Sequence, residues 1–369
     1  MNARQSPAGD RFERILVVCT RQLGDVLLTT PLIRATRERW PAATIDVLGF
    51  GGTLGMLRGN PDVHQLIEMP PGSGWRRSWP LIRRLWRRYD LALIAQYSDR
   101  AHLLGFVAGK LRSGQVFDTP KGWWKRALLH HAVLLSDAAQ SHAVVEKLRL
   151  LEPWGLPGTA ALVPPFGEAL PADIAAALET RYVVLQVPSL VRYKQWPLGH
   201  FATLARSLLA DGLQVVLSGG PAAADRAACA EVAAVVAAPR VLDLAGRLSL
   251  NQLATLLRGA AAYVGPDTSV THLAAACDTP VVALYGPISP RLWGPWPGPA
   301  AAQSPFVDFA ERQQLREVIV LQGPPACVPC NRAGCDNHPA SRSECLETLD
   351  PARVAAEVRR VLAQPAASR

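Results

Sequence analysis

The fold class is decided near the amino terminus by the stretch RILVVCTRQLGDVLLTTP, residues 14–31. Its first six residues form a short, almost continuous apolar run, which is typical of a strand buried on both faces. The loop that follows contains Gly24 and Asp25, and apolar residues then recur at helical spacing over residues 26–40. Strand, loop and helix in this order predict the first unit of a parallel, doubly wound α/β sheet.

The same alternation continues on both sides of a break that is rich in proline and glycine. The break spans residues 151–171, contains EPWGLPG, and is typical of a linker. Before it, we predict strands at residues 44–48, 63–69 and 91–95 and a helix at residues 81–89. After it, we predict strands at residues 182–187, 213–218, 241–244, 262–264 and 281–285, and helices at residues 198–210, 222–237, 250–257 and from residue 269. We therefore expect two Rossmann-like domains, residues 1–165 and 166–369, with a ligand cleft between them.

The charge of the chain is concentrated in the first predicted domain. Residues 1–165 contain 22 Lys and Arg against 13 Asp and Glu, whereas residues 166–369 contain 17 of each, so the net charge of +9 belongs to the first domain. Such an excess indicates an anionic partner. A hydrophobic content of 49% excludes global disorder. We expect a cytoplasmic protein, since no apolar run approaches the ~18–20 residues of a membrane span and residues 1–14 lack the layout of a signal peptide.

The loop after the first predicted strand argues against a dinucleotide cofactor. Binding of NAD or FAD at this turn needs three glycines, and only Gly24 is present. We expect Gly24 to make a tight turn that places Asp25 at a helix N-terminus facing the cleft. Asp25 then has two interpretations, an N-cap that stabilises the helix by ~0.5–2 kcal/mol or a carboxylate that accepts a proton from a substrate.

Two strand ends of the second predicted domain carry residues suited to an anion. The segment SLVRYKQWP, residues 189–197, places cations after a strand, although a solvated loop would look the same. In GPDTSVTH, residues 265–272, Asp267 is a candidate N-cap and the amides after it could hold a phosphate. His272 shares a helix face with Thr268, either as a ligand contact or as a packed core residue.

These stretches together resemble glycosyltransferase family 9, the heptosyltransferases of lipopolysaccharide core assembly. The matching pieces are GD at residues 24–25 with TTP at residues 29–31, KQWP at residues 194–197, and GPDTSVTH at residues 265–272 with YGP at residues 285–287. The resemblance implies a GT-B fold, in which two Rossmann-like domains face each other across a cleft. It also implies an inverting, metal-independent transfer of heptose from ADP-L-glycero-D-manno-heptose to a lipid-linked inner-core sugar. Leu190 and Val191 stand where relatives are frequently polar, so a glycosyltransferase of the same fold with another nucleotide-sugar donor is the alternative.

The resemblance assigns roles to individual residues. Asp25 matches the proposed general base and Lys194 the lysine near the donor diphosphate, and both are predicted to be catalytic. The residues predicted to bind the donor are Ser189, Arg192, Asp267, Thr268, Ser269, His272 and Gly286. An ionised aspartate, with an ordinary pKa of ~3.9, can accept the proton of the attacking hydroxyl. The chain contains no Asp-x-Asp pair, so we expect no cofactor in catalysis.

Cations and aromatic residues are mixed in two segments of the first domain, WRRSWPLIRRLWRRY at residues 75–89 and KGWWKR at residues 121–126. This mixture suits the headgroup layer of an anionic bilayer, or the phosphates and carboxylates of an acidic lipid-linked oligosaccharide of the Kdo-lipid A type. The other interpretation is an amphipathic helix with a solvated cationic face. The residues predicted to bind the acceptor are Arg21, Thr29, Arg76, Arg77, Lys121 and Arg126. We expect peripheral association with the inner face of the inner membrane and no nucleic-acid partner, since no recognition module accompanies the charge.

Four of the seven cysteines are clustered near the carboxyl terminus. They are Cys327, Cys330, Cys335 and Cys345, within a segment rich in proline and glycine. Four thiols at this spacing indicate a structural Zn²⁺ site, with His338 as a spare ligand. An iron–sulfur cluster and a set of free or disulfide-bonded thiols are the alternatives. The cluster is not expected to take part in catalysis.

Overall fold

The computed structural model describes residues 11–70, 75–136, 141–324 and 326–363, except the side chains of Trp75, Arg76 and Ala301. The chain divides into two compact units. The first unit comprises residues 1–165 and 299–304, and the second unit comprises residues 166–298 and 305–369.

The first unit is built on a six-stranded parallel sheet. Its strands are β1 (Arg14–Val18), β2 (Thr44–Phe50), β3 (Gln65–Met69), β4 (Tyr89–Ile94), β5 (Gly109–Phe117) and β6 (His131–Leu135), followed by the short β7 (Thr159–Ala160). Its helices are α1 (Leu23–Leu27), α2 (Thr30–Arg39), α3 (Gly51–Leu54), α4 (Trp75–Leu85), α5 (Asp99–Ala108), α6 (Trp123–Ala127) and α7 (Ala143–Leu148), with 3₁₀ turns at Gly55–Leu57, Pro120–Gly122 and Arg149–Trp154. The strand order is β3-β2-β1-β4-β5-β6, so the direction of winding reverses between β1 and β4.

The second unit is built on a seven-stranded sheet. Its helices are α8 (Ala172–Ala177), α9 (Leu198–Ala210), α10 (Ala223–Val236), α11 (Leu250–Gly259), α12 (Ser269–Ala276), α13 (Pro290–Trp293), α14 (Glu344–Glu347) and α15 (Pro351–Ala363), with a 3₁₀ turn at Arg192–Lys194. The remaining strands of the chain are β8 (Tyr182–Gln186), β9 (Gln214–Ser218), β10 (Val241–Asp243), β11 (Ala262–Pro266), β12 (Val281–Tyr285), β13 (Ala300–Ala301), β14 (Arg312–Leu315) and β15 (Val318–Gln322). The order is β10-β9-β8-β11-β12-β15-β14, and only the edge strand β14 is antiparallel to its neighbour. Here the winding reverses between β8 and β11.

The predicted fold class is confirmed by these two sheets. Residues 15–18 of β1 are completely buried, as the apolar run predicted for a strand covered on both faces. In doubly wound sheets, ligands bind beyond the carboxyl ends of the strands where the winding reverses. Ligand-binding residues are therefore expected in the loops after β1 and β4 in the first unit and in those after β8 and β11 in the second.

The helix predicted over residues 26–40 is interrupted. It is replaced by α1 and α2, because the Thr30 hydroxyl donates to the carbonyl of Leu27 at 2.7 Å and Pro31, which lacks an N–H, occupies the first turn of α2. Gly24 lies inside α1, without the tight turn that was expected there.

The stretch at residues 151–171 is more ordered than the predicted linker. It begins in a 3₁₀ turn, where the buried Trp154 ring lies 5.6 Å from the ring of Phe12 and 5.7 Å from that of Trp40. Further along, β7 pairs antiparallel with β13, the strand that the first unit takes from residues 299–304. Among the described residues, no helix combines the length and the hydropathy that crossing a bilayer requires.

Candidate active site

Asp25 lies in the loop region after β1, where the winding of the first sheet reverses. It is the third residue of α1, and its side chain is 12% exposed. The N-cap interpretation is wrong, because Gln22 occupies that position and makes no side-chain capping bond. A carboxylate in the first turn of a helix is stabilised as an anion by the helix dipole. The carboxylate of Asp25 is therefore not used to cap the helix.

Arg21 connects the loop after β1 to the loop after β4. Its guanidinium Nη1 donates to the hydroxyl of Tyr97 at 2.5 Å, and its Nε lies 3.8 Å from Oδ2 of Asp25. The guanidinium carbon also lies 5.1 Å from the centre of the Tyr97 ring. Tyr97 was not predicted, although its place directly after a predicted strand is the signal that could have found it. These contacts place a cation and a phenol beside the candidate base.

The hydroxyl of Thr29 does not face a site where an acceptor sugar could bind. Its side chain is completely buried, and the hydroxyl donates to the carbonyl of Asp25 at 2.7 Å. The predicted acceptor role of Thr29 is therefore corrected to a supporting contact within the helix that carries Asp25.

The other predicted acceptor residues lie on separate elements of the first unit. Arg77, on α4, and Lys121, in a 3₁₀ turn, are exposed. Arg126, on α6, forms an ion pair with Asp118 at 2.6 Å. The side chain of Arg76 lies outside the described atoms. Among the described side chains, no hydrogen bond or ion pair joins Arg77, Lys121 or Arg126 to Asp25.

Lys194 and Asp267 form an ion pair in the second unit. Lys194 lies after β8 and Asp267 directly after β11, so they meet where the winding of that sheet reverses. The Nζ of Lys194 lies 2.6 Å from Oδ2 of Asp267, with 24% of the lysine side chain and 8% of the aspartate side chain exposed. The N-cap predicted at Asp267 is wrong, because Thr268 holds that position at the start of α12.

Tyr285 is a site residue that was not predicted. Its hydroxyl donates to the carbonyl of Trp293 at 2.7 Å and lies 3.5 Å from Oδ1 of Asp267. Complete burial, reinforced by the charge of Asp267, raises the pKa of Tyr285 well above its ordinary value. The phenol therefore keeps its proton and uses it in the short bond to Trp293, while its oxygen stays in long contact with Asp267. Its position as the last residue of the predicted strand at residues 281–285 was the available signal.

The start of α12 is rigid and polar. The Thr271 hydroxyl lies 2.9 Å from the Tyr263 hydroxyl and 3.2 Å from the Thr268 hydroxyl. Thr268 and Ser269 are half-buried at this N-terminus, whose first-turn amides have no intrahelical partner and suit a phosphate. His272 is 4% exposed, and its Nε2 lies 4.0 Å from Oδ1 of Asp267. His272 is thus a buried residue next to the ion pair, as the interpretation of a packed core residue predicts, and its contact with a ligand stays a prediction.

Ser189 and Arg192 lie in the loop that leads to Lys194. The backbone N–H of Ser189 donates to Oε1 of Gln195 at 3.4 Å, and Arg192 is exposed. Gly286 lies after β12, where a Cβ would come within 2.9 Å of Sγ of Cys345. The close packing of Cys345 is therefore enough to explain why position 286 is a glycine. No contact with the nucleotide sugar is needed to explain it.

The four clustered cysteines line one cavity of about 180 Å³. All four are free thiols, and the N–H of Glu344 lies 3.5 Å from Sγ of Cys335. Burial, together with the other three thiols, raises the pKa of Cys345 to about 12. Within the described part of the chain, no three His, Cys, Asp or Glu side chains are arranged to hold a metal ion. The thiols therefore have the chemistry of a zinc site without its coordination geometry.

Comparison with known proteins identifies the family. Residues 78–309 match the model of glycosyltransferase family 9 (heptosyltransferase). The chain is 31% identical to lipopolysaccharide heptosyltransferase 2 of Salmonella typhimurium over 76% of this chain and 85% of that protein. It is 29% identical to lipopolysaccharide heptosyltransferase 3 of Escherichia coli K12 over 75% of this chain and 83% of that protein.

A solved structure shares the fold. The structure of the E. coli ADP-heptose lipopolysaccharide heptosyltransferase II superposes with a TM-score of 0.71 at 24% identity, covering 95% of this chain and 98% of that chain. The structure of E. coli heptosyltransferase WaaC with ADP has a TM-score of 0.68 at 21% identity and covers 94% and 99%. The predicted family is confirmed: the chain is a glycosyltransferase that belongs to family 9, the heptosyltransferases.

Proposed function

We propose that this protein transfers heptose from ADP-L-glycero-D-manno-heptose to a lipid-linked inner-core sugar of lipopolysaccharide. The observation that carries the proposal is the ion pair of Lys194 with Asp267 beside the start of α12. Relatives are named lipopolysaccharide heptosyltransferases, and one solved relative was determined with ADP. The second unit would hold the donor and the first unit the acceptor.

The donor half of the proposal rests on the charges around α12. The amides of its first turn and the ammonium of Lys194 are suited to the two phosphates of a nucleoside diphosphate. Asp267, held by Lys194 and facing Tyr285, is placed to accept hydrogen bonds from sugar hydroxyls. This arrangement would select among sugars by the positions of their hydroxyl groups, because a carboxylate held between Lys194 and Tyr285 can accept hydrogen bonds from few directions.

Asp25 is proposed to act as the general base of an inverting displacement. The acceptor hydroxyl loses its proton to the carboxylate as its oxygen attacks the anomeric carbon, and the bond from that carbon to the ADP oxygen breaks. Inversion follows because attack and departure occur on opposite faces of the sugar. Arg21, whose Nε lies 3.8 Å from Oδ2 of Asp25, places a positive charge beside the proposed base.

Departure of ADP is proposed to need no metal ion. Negative charge develops on the leaving phosphate oxygen, and fixed positive groups aimed at that oxygen stabilise it. Lys194 and the N-terminus of α12 supply such groups in the second unit.

A donor panel tests the proposed function. With a heptose-deficient lipopolysaccharide acceptor and mass-spectrometric detection, we expect turnover with the ADP-heptose that exceeds turnover with ADP-glucose or UDP-glucose by at least about 10²-fold, the discrimination expected of a site that hydrogen-bonds sugar hydroxyls. Omission of Mg²⁺ and Mn²⁺ from the assay is expected to leave the rate unchanged. Turnover with another nucleotide sugar alone would establish the alternative donor. The residue that motivates this alternative is Leu190, which is 83% exposed in the loop after β8.

We also propose that the first unit docks on the inner face of the inner membrane. Trp79 and Trp86 are 45% and 61% exposed, and Arg83 and Arg84 between them are exposed. Exposed tryptophans beside arginines favour an anionic headgroup layer.

Vesicle binding tests the docking proposal. Co-sedimentation is expected with phosphatidylglycerol vesicles and not with phosphatidylcholine vesicles, and it should weaken as salt screens the charges. Replacing both Arg83 and Arg84 with serine should reduce binding about 30-fold, since each contributes ~1 kcal/mol at low salt. Arg181→Ser, at an exposed position of the second unit, is the control. Equal binding of the two variants would contradict the proposal.

A structural zinc ion on the four clustered thiols is proposed from their chemistry and their common cavity. Zinc would hold all four as thiolates and stabilise the segment, with no part in the transfer.

Protein purified without chelators is expected to contain zinc, and its clustered thiols should resist iodoacetamide at pH 8. After the metal is removed, the exposed Cys327 and Cys335 should react well before Cys345, whose raised pKa keeps it protonated. Zinc-free protein with readily alkylated Cys327 and Cys335 would refute the site.

A further inference from the structure

The segment that carries the clustered cysteines, residues 327–345, contacts two loops of the second unit. We call it the cysteine segment. The first donor loop, residues 188–197, follows β8 and contains Lys194. The second donor loop, residues 286–290, follows β12 and the phenol of Tyr285. Neither the sequence nor the proposed reaction gives the cysteine segment a part in donor binding.

Two hydrogen bonds join the cysteine segment to the first donor loop. The hydroxyl of Ser343 donates to the carbonyl of Tyr193 at 2.6 Å, and the N–H of Arg192 donates to the carbonyl of Pro339 at 3.2 Å. Both attachment points are within two residues of Lys194. Ser343 is 3% exposed, so water cannot readily replace its bond.

Two more hydrogen bonds join the segment to the second donor loop, and both use Asn331. Its N–H donates to the carbonyl of Pro287 at 2.7 Å, and its Oδ1 accepts from the N–H of Ser289 at 3.0 Å. Next to this contact, Cys345 packs so closely against Gly286 that no side chain fits there. The second donor loop is therefore held at three of its five residues.

The cysteine segment is itself internally bonded. The N–H of Cys335 donates to the carbonyl of Arg342 at 3.0 Å, and the N–H of His338 donates to the carbonyl of Ala333 at 2.8 Å. Its end packs closely against the residue that follows β15, because a Cβ on Gly323 would lie 1.8 Å from the carbonyl oxygen of Cys345. The segment thus lies between both donor loops and the end of β15 and is hydrogen-bonded within itself.

We propose that the cysteine segment is a brace that sets the position of both donor loops, with Asn331 and Ser343 as its positioning residues. Loops held in place before binding lose less conformational entropy when the donor arrives, which raises affinity without any contact to the donor. The proposal rests on the proposed function for the identity of the donor. It predicts that the brace controls affinity for the nucleotide and leaves affinity for the acceptor unchanged.

Variants that remove one hydrogen bond each test the brace. Ser343→Ala removes the hydroxyl, whereas Ser343→Thr keeps it and has room for its methyl, because Ser343 lines the cavity. Asn331→Gly removes the Oδ1 acceptor and suits the backbone, since φ at Asn331 is +53°. Thr348→Ala is the matched control, because that hydroxyl donates to the carbonyl of Glu344 at 2.8 Å, a bond between α14 and its own C-cap residue.

ADP affinity by calorimetry, the KM for each substrate and the thermal midpoint are measured for the whole set. We expect Ser343→Ala and Asn331→Gly each to raise the Kd for ADP about three- to tenfold, the loss of one shielded hydrogen bond. Ser343→Thr and Thr348→Ala should stay within about twofold of the wild type, and the KM for the acceptor should not change.

The outcomes separate the brace from the proposed function. Unchanged ADP affinity in Ser343→Ala and Asn331→Gly would overturn the brace, provided that the wild type binds ADP and transfers heptose. An equal loss of affinity in Thr348→Ala would also overturn it, because the effect would then follow stability. A wild-type protein that binds no ADP would instead refute the proposed function.

Discussion

Replacing Asp25 with asparagine is expected to lower kcat by ~10²–10⁴-fold, the usual contribution of a general base. Asparagine keeps the shape of the side chain but cannot take a proton from the acceptor hydroxyl. The affinity for ADP should remain within about twofold, since Asp25 belongs to the unit that is not proposed to hold the donor. Transfer rates under saturating substrates and calorimetry with ADP measure the two effects.

Asp99→Asn is the control for this experiment. Asp99 lies in the first turn of α5 and, like Asp25, faces the positive end of a helix, but its side chain is 72% exposed and pairs with Lys125. The control should therefore share only the loss of ~0.3–1 kcal/mol of helix-dipole stabilisation. A kcat of Asp25→Asn within a few fold of the wild type would show that Asp25 is not the base. Joint loss of turnover and ADP binding would assign it a structural role.

Replacing Lys194 with alanine is expected to lower kcat by about 10²–10³-fold, the usual cost of removing one fixed group that stabilises a leaving anion. The same change leaves the buried carboxylate of Asp267 without its cation. We expect it to lower the free energy of unfolding by about 1–3 kcal/mol or more, the penalty for an unsatisfied buried polar group. Stopped assays of heptose transfer and chemical denaturation record the two quantities.

A double variant separates the two roles of Lys194. Adding Asp267→Asn to Lys194→Ala removes the uncompensated charge and should restore most of the stability. Transfer should remain at the level of the single variant or below it, because the leaving group still lacks its cation. Recovery of transfer together with stability would show that Lys194 serves only to neutralise Asp267.

Much of the fold could be predicted because buried parallel strands are marked by apolar runs. The strand Val281–Tyr285 and the helix Leu198–Ala210 have the bounds that the sequence pattern predicts. Four strands of the two sheets were missed, namely β5, β6, β14 and β15, although β15 does carry an apolar run, VIVL. β6 is only partly buried, and β14 has the polar sequence RQQL, so neither carries the apolar signature. The break between α1 and α2 was missed because it depends on hydroxyl bonds that periodicity does not record.

The sequence predicted which strand ends carry the site residues, but not which of these residues contact each other. Asp25, Lys194 and Asp267 were placed after predicted strands by chain order alone, and in the structure they follow β1, β8 and β11. The ion pair between Lys194 and Asp267 joins residues 73 positions apart, which spacing cannot reveal. Both N-cap assignments were wrong by a few residues, because the helix start depends on which backbone group first bonds.

The pairing of β7 with β13 bears on how the gene can be divided for expression. A polypeptide that stops at residue 165 would lack Ala300–Ala301, so Thr159–Ala160 would lose its partner strand. A polypeptide that starts at residue 166 would still carry residues 299–304, whose native neighbours are gone. Separate expression of the second unit therefore calls for excising those six codons and inserting a short glycine-rich splice.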